Sequence, residues 1–312
     1  MTIKSIFSDL YHEKTNYQFM SRKWRWLLIS SVLVAISVGS FIANGLNTSI
    51  EFKGGTSFEA TLAEKQPDVG EVRDLLANNN LGELKIQTLN NDTIKVTAKR
   101  LSQEQQAGVL KELSEYASVD QTDISISDVG PSWGKRVTKQ STQALVVFFL
   151  LVALYMIFRF EWAMSLAAIL SMLHDVIITV GIYSLLKFNV APATVVAFLT
   201  ILGFSLYDTV VVFDKIRDNT KIWKKLKQAS YSDMVNTSLN EVLARSINTS
   251  IVAVLPVLSL IFVGTYLLGA TALLDFSLAL AVGLAAGAYS SIFVATPLVV
   301  VIKKWTNKAD NM

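Results

Sequence analysis

Two aspartates interrupt the apolar stretch "FLTILGFSLYDTVVVFDKIRDN", residues 198–219: Asp208 lies within it and Asp214 closes it. A charge at the centre of a bilayer costs about 2.5–3.5 kcal/mol on insertion scales, so one that is retained faces a protein interior and has a partner or a task. Two other apolar stretches carry such groups. "SMLHDVIITVG" places His174 and Asp175 near the middle of its segment. "ARSINTSIVAVLP" brings Arg245 to the mouth of another, ahead of Ser246, Asn248, Thr249, Ser250 and Pro256. Ser205 lies one turn before Asp208, and Gly203 would let a neighbouring helix come close. The chemistry open to such a set is proton exchange: burial favours a neutral carboxyl, an approaching guanidinium favours its anion, and alternation between the two moves an ion. One unit charge crossing 100 mV supplies about 2.3 kcal/mol.

Each residue also has a plainer reading. Asp214 is about 120° around a helix from Asp208 and opens the basic run "DKIRDNTKIWKKLK", which reads as a membrane edge. Asp208 could hold a structural ion pair, and His174 with Asp175 a hydrogen bond between packed helices. Arg245 could snorkel to the headgroups.

The composition sets the frame for these residues. Of 312 residues, 52% are hydrophobic and 17% charged, the balance of an integral membrane protein. The absence of cysteine excludes disulfides, thiolate metal sites and thiol nucleophiles, and two histidines are too few for a rich imidazole site. No P-loop, kinase signature, catalytic serine, zinc motif or GxGD protease motif is present. The expectation is therefore no catalytic residue, no metal and no bound cofactor, with a proton or sodium as the coupling ion. A net charge of +3 gives no reason to expect nucleic acid.

A hydrocarbon core about 30 Å thick needs roughly 20 apolar residues in helical form. Six segments qualify: 26–46, 142–158, 162–186, 191–213, 242–263 and 270–302. Their arrangement predicts a polytopic α-helical protein with a segment 1–25 before the first span, a polar loop 214–241 and a tail 303–312. The first span is not expected to be a removable leader, because its apolar stretch and its charged N-terminal flank are long and no small-x-small cleavage site follows it. Sixteen of the 28 Lys and Arg fall on the side that carries both termini, and the short loops opposite hold only Lys187. The positive-inside rule therefore puts both termini in the cytoplasm.

Residues 47–141 differ in kind and predict a folded exoplasmic domain between the first two spans. "SIEFKGGTSFEATL" reads as a strand over 49–62 broken at Gly54 and Gly55, and "DVGEVRDLLANNN" spaces Val69, Val72, Leu75 and Leu76 as a helix. "ELKIQTLN" and "TIKVTAK" read as a hairpin around Asn90–Asn91–Asp92. "LSQEQQAGVLKELSEYA" opens with Ser102 and Gln105 in capping-box spacing, and "TDISISDV" reads as a last strand. The order βαββαβ is that of a ferredoxin-like α+β unit.

With these residues in place the chain resembles the SecF subunits of the SecDF protein-export complex, in the RND superfamily. The resemblance rests on "FMSRKWRW", "GLNTSIEFKGGT", "VGPSWGK", "HDVIITVGI", "GFSLYDTVVVFDKIRDN" and "LARSINTSI", in that order along most of the chain. It implies a bacterial inner-membrane auxiliary that uses the proton or sodium gradient, with a SecD-like subunit, to draw unfolded preproteins through SecYEG, with YajC as a further partner besides lipid. Asp208 and Arg245 match the ion-coupling residues of that family, and His174 and Asp175 match its third-span pair. Tyr207 stands where Asn commonly precedes the aspartate, and Glu51 where Asp is usual. Two other readings are a half-unit of another RND-type exporter, which a loop of this size disfavours, and a scaffold of the translocon that transports nothing.

Overall fold

The computed structural model describes residues 15–62, 66–77, 81–82, 84–89, 92–226, 230–267 and 271–309. Asn90 and Asn91 of the expected hairpin tip and residues 78–80 of the expected helix end lie outside the described residues.

A 3₁₀ turn, Met20–Arg22, leads into helix α1, Lys23–Asn44, whose apolar run ends at Gly45 with φ +62°. The chain then forms strand β1 (Asn47–Thr48), a helical turn α2 (Ile50–Lys53) and strand β2 (Gly55–Thr61). The single strand expected over 49–62 is therefore corrected: residues 50–53 are helical, and extended structure starts at Gly55. Gly55 explains the break, because it adopts φ +142° and a Cβ there would lie 2.5 Å from the carbonyl oxygen of Ala98. Only glycine tolerates both conditions.

Helix α3 (Val69–Leu76) starts where the Asp68 carboxylate accepts from the Gly70 and Glu71 amides. Strands β3 (Lys85–Leu89) and β4 (Thr93–Ala98) follow, then helix α4 (Gln103–Ala117), which has the full Ser102–Gln105 capping box, and strand β5 (Ser125–Val129). The four longer strands form one antiparallel sheet in the order β3-β4-β2-β5. Phe58, Ala60, Ile94 and Val96 of the sheet close on Val72, Leu76, Val109 and Leu113 of the two helices, and all of these are buried. The alternate residues, Ser57, Glu59, Lys95, Ser125 and Ser127, lie on the polar face.

Helix α5 (Pro131–Arg159) begins with proline at its first turn, before its apolar part. Its Gly134 lies so close to the Phe52 carbonyl that no side chain would fit, and this seats the helix on α2. Helix α6 (Trp162–Leu186) ends in a left-handed Lys187, and strand β6 (Asn189–Val190) then pairs in parallel with β1. This small link ties the sheet domain to the turn between the third and fourth spans. Helices α7 (Pro192–Leu226) and α8 (Tyr231–Ser259) reach well beyond the membrane-length runs, so the connection expected as a loop over 214–241 is largely helical. Past Pro256, α8 continues as π-helix over Leu260–Leu267. The last span is helix α9 (Thr271–Ser290), a π-helical segment Ser291–Ala295, and helix α10 (Thr296–Ala309).

Among the described residues, six helical stretches are long and apolar enough to cross a membrane, and the third and sixth are the most buried. The third packs on the first where Gly181 receives Ser37, and the sixth packs on the fourth where Gly283 receives Ile201 and Gly287 receives Ser205. Gly203, the expected site of close approach, is exposed and has no neighbour within 4 Å of its would-be Cβ. At the end bearing the termini, Asn236 and Asn240 of α8 strap down the chain before α1. The Asn236 carboxamide oxygen accepts from the Phe19 amide at 2.8 Å, and that of Asn240 accepts from the Tyr17 amide at 2.8 Å.

Two predictions follow from this packing. Gly283→Val should lower the thermal midpoint in detergent, by a cost in the overpacking range of about 1–3 kcal/mol. Gly39→Ala, at a position with nothing within 4 Å, should leave it near wild type. Separately, Lys85 donates to the Asn47 carboxamide, and its ammonium is held below its ordinary value by burial and by Lys53 and Lys95. A lowered folded-state value means the unfolded chain holds more protons in the window up to 10.5, so stability rises as pH climbs through that window. Lys85→Gln should flatten this rise in denaturation curves of the full chain taken as the pH is raised toward 10.5.

Candidate functional site

The polar groups singled out in the spans meet at two buried carboxylates. Asp175, on α6 and 1% exposed, uses both oxygens. Its Oδ2 accepts from the Ser205 hydroxyl of α7 at 2.6 Å and from the Ser290 hydroxyl of α9 at 2.8 Å. Its Oδ1 lies 3.2 Å from Nδ1 of His174. Three spans are thus joined at one side chain. His174 turns toward the first and sixth spans, its ring stacked near Tyr289 at 6.2 Å, while the Tyr289 hydroxyl meets that of Ser30 at 3.1 Å.

Asp208, on α7 and 2% exposed, is differently placed. The Ser246 hydroxyl of α8 donates to its Oδ1 at 2.6 Å, and Oδ2 has no hydrogen-bond partner among the described residues. Ser291 stands beside it, its hydroxyl 3.0 Å from that of Thr209. Ser290 and Ser291 are consecutive, yet one serves Asp175 and the other the Asp208 side. The π-helical segment that starts at Ser291 is where the sixth span departs from α-helical phasing, a feature common at functional sites.

The expected approach of Arg245 to Asp208 is absent from this structure. Arg245 is exposed, and Ser246, the next residue, takes the inward position. Among the described residues Arg245 has no ion pair. Tyr207 likewise faces outward, 57% exposed, so it does not hydrogen-bond Asp208. Ser205 does point inward, but its partner is Asp175 rather than Asp208. Asp214 pairs with Arg159 at 2.8 Å and Arg217 at 3.1 Å at the end bearing the termini. Gly54 and Gly55 lie far along the chain at the sheet domain, with positive φ at both. Sequence reasoning missed Ser290 and Ser291, although "AGAYSSIFVAT" is a conspicuous run of small and hydroxyl residues in an apolar span. No three His, Asp or Glu side chains converge as a metal centre among the described residues.

Comparison with known proteins supplies the context. The family described as "Protein export membrane protein SecD/SecF, C-terminal" matches residues 109–305. The chain is 40% identical over 300 residues to the protein translocase subunit SecF of Streptomyces coelicolor, covering 96% of this chain and 80% of that one. It is 33% identical to the SecF of Rhodothermus marinus, covering 93% and 94%. The crystal structure of SecDF from Thermus thermophilus, a translocon-associated membrane protein, superposes with a TM-score of 0.83 at 34% identity. That match covers 95% of this chain and 39% of that chain. These likenesses also show a multi-pass membrane protein.

The two donors on Asp175 Oδ2 are separable. Ser205→Ala and Ser290→Ala should each destabilise the protein by about 1–3 kcal/mol, and the double variant should depart from additivity because both act on one atom. Tyr207→Phe should stay within about 0.5 kcal/mol. Thermal unfolding in detergent reads all four.

Proposed function

Because the chain belongs to the SecD/SecF family of protein-export membrane proteins, we propose that it is the SecF-type accessory subunit of a protein translocase and couples movement of a proton, or of sodium, to preprotein export. The observation that carries the ion-coupling part is the inequality of the two carboxylates. Asp175 has both oxygens engaged and holds three spans together, whereas Asp208 is as deeply buried with one oxygen bare. A buried polar atom without a partner is costly, and it persists in native structures where it takes part in chemistry or exchange. Asp208 Oδ2 is the atom at which the ion binds and leaves, and Ser246 holds the carboxyl in place for it. Coupling of this kind performs work without a covalent step, so no chemical catalysis is assigned to the chain.

A SecD-like subunit supplies the missing half. The second and fifth spans are the least buried, and the fifth carries the exposed Arg245, which has no ion pair among the described residues. An arginine in a membrane-spanning segment calls for a partner, and a second helical bundle brings one. The Thermus thermophilus SecDF chain, of which this one covers 39%, is consistent with two such halves in a single polypeptide. The wider assembly is the SecYEG channel with YajC, the substrate is unfolded preprotein, and the setting is the bacterial inner membrane with both termini cytoplasmic. The sheet order β3-β4-β2-β5 supports a ferredoxin-like domain on the exoplasmic side.

Asp208→Asn should abolish the gradient-dependent part of preprotein export in inverted membrane vesicles while leaving export driven by nucleotide alone. Retention of normal gradient dependence in that variant would sink ion coupling and leave a scaffold. Arg245→Glu should reduce co-purification of the second six-span subunit, whereas Asp208→Asn should not.

A further inference from the structure

The fifth span is held most firmly at the end bearing the termini. Past Arg245 much of its surface is open, with Ile251, Val252, Leu255 and Phe262 all more than half exposed. Before Arg245 its apolar face is buried, with Val235, Leu239 and Val242 in the core shared with the fourth and sixth spans. Two carboxamides add to this hold. Asn236 and Asn240 are 6% and 5% exposed and lie one turn apart on α8. Each works in both directions on the main chain that precedes α1. The Asn236 oxygen accepts from the Met20 amide at 3.1 Å as well as from that of Phe19, and its nitrogen donates to the Tyr17 carbonyl at 3.0 Å. The Asn240 nitrogen donates to the same carbonyl at 2.9 Å, while its oxygen accepts from the Tyr17 amide.

The other side of this segment enters the sixth span. Met20 is 3% exposed within the core, and the Phe19 ring meets that of Phe293 edge-on at 5.8 Å. Trp26 meets Phe293 as well, at 4.5 Å. Phe293 belongs to the π-helical segment Ser291–Ala295 and lies two residues after Ser291. Tyr17–Met20 therefore touches both elements that bring a hydroxyl to Asp208. One is α8, which carries Ser246 six residues beyond Asn240, and the other is the π-helical segment, which starts at Ser291. Six residues are about 9 Å along a helix and about 120° around it, so α8 meets the segment and the fourth span on different faces. Serine has a short side chain, and α8 turns about 100° per residue. The 2.6 Å bond from Ser246 to Asp208 thus depends on both the depth and the rotation of α8.

We propose that Tyr17–Met20 is a strap that sets the depth and rotation of the fifth span against the π-helical segment of the sixth, and that Asn236 and Asn240 are positioning residues for the contact of Ser246 with Asp208. The consequence for export rests on the ion-coupling reading above, whereas the placement of the span does not. The strap is held through its backbone, and it gives the start of "FMSRKWRW" a task beyond anchoring the chain.

The absence of native cysteine allows spin labels to be placed singly. Ile251→Cys on the fifth span with Leu173→Cys on the third reports the place of the fifth span, and Leu33→Cys on the first span with Leu173→Cys is the reference pair; all three positions are exposed. Double electron–electron resonance on the full complex in nanodiscs gives the distances, beside gradient-dependent export in inverted membrane vesicles and thermal midpoints in detergent. Asn236→Leu with Asn240→Leu removes every carboxamide bond to the strap and should move or broaden the fifth-to-third distance by about 2–5 Å. The reference distance should stay unchanged. The gradient-dependent part of export should fall about tenfold, the scale of one hydrogen bond to a carboxylate. Asn240→Ala alone, which leaves the Asn236 clasp in place, should act in the same sense to a smaller extent, and it decides the matter if the double variant does not accumulate. A lowered thermal midpoint with distances and export unchanged overturns the proposal, because the segment then only anchors the terminus. A shift in both label pairs also overturns it, since the whole bundle then loosens. A shifted fifth span with undiminished gradient dependence overturns the link to Asp208. Ion coupling itself fails separately: normal gradient dependence in Asp208→Asn would defeat it while the distances still decide the strap.

Discussion

A carboxylate kept inside a helical bundle has to find its hydrogen-bond donors on neighbouring helices, because the hydrocarbon around it supplies none. Asp175 meets that demand with hydroxyls from the fourth and sixth spans, and much of the bundle follows from it. A serine can reach a carboxylate on the next helix only when the backbones lie close. Gly283 and Gly287 of the sixth span, set against Ile201 and Ser205 of the fourth, provide that closeness. The π-helical segment at Ser291–Ala295 then lets two consecutive serines serve two different partners, which regular α-helical phasing, with about 100° between neighbours, would hinder. Small residues, a phase break and hydroxyls act here as one device.

Asp208 lies one turn further along the fourth span from Ser205 of this clamp and is held by the fifth through Ser246. The contrast with Asp175 is one of redundancy. Two serine hydroxyls and the His174 ring meet one carboxylate, so its helices are fixed together, whereas the other is met by Ser246 with Ser291 beside it, and its Oδ2 has no hydrogen bond by distance and angle among the described residues. Under the proposed ion coupling, the first kind serves as a fixed pivot and the second as the exchangeable site. The fifth span, which carries Ser246, is also, with the second, the least buried within this chain, which leaves its outer face for the proposed second subunit.

Among the described residues, the attachments of the sheet domain at the end opposite the termini include the β1–β6 pair, the seat of Gly134 on α2 and the Lys85–Asn47 hydrogen bond. Phe52 of α2 and Val190 of β6 add an apolar contact with the cluster around Tyr183. The domain has its own core of residues such as Phe58, Ile94 and Leu113, so it can keep its shape while its attachments yield. Short ladders and single polar contacts are the low-stability elements through which domains move.

The amino-acid sequence alone determined the span count, the separate stretch of strands and amphipathic helices, the capping box at Ser102–Gln105 and the position of Asp175 and Asp208 inside apolar spans. Each of these follows from local composition or periodicity: a run of about 20 apolar residues crosses a bilayer whatever its neighbours, and a buried carboxyl needs a reason wherever it lies. Only the tertiary structure decided which residues meet. Arg245 and Ser246 differ by one position and about 100° of rotation, and nothing in "ARSINTS" says which of them turns inward. The same holds for Tyr207 and Asp208, and for the helical turn at 50–53, where alternating residues read as a strand. Gly203 looked like the point of helix contact, but the contact belongs to Gly283 and Gly287, some 80 residues later in the chain. Ser290 and Ser291 acquired meaning only when the sixth span folded beside the third and fourth. A helix has several faces, and which one turns to a neighbour is set by the packing of all the spans together rather than by any one of them.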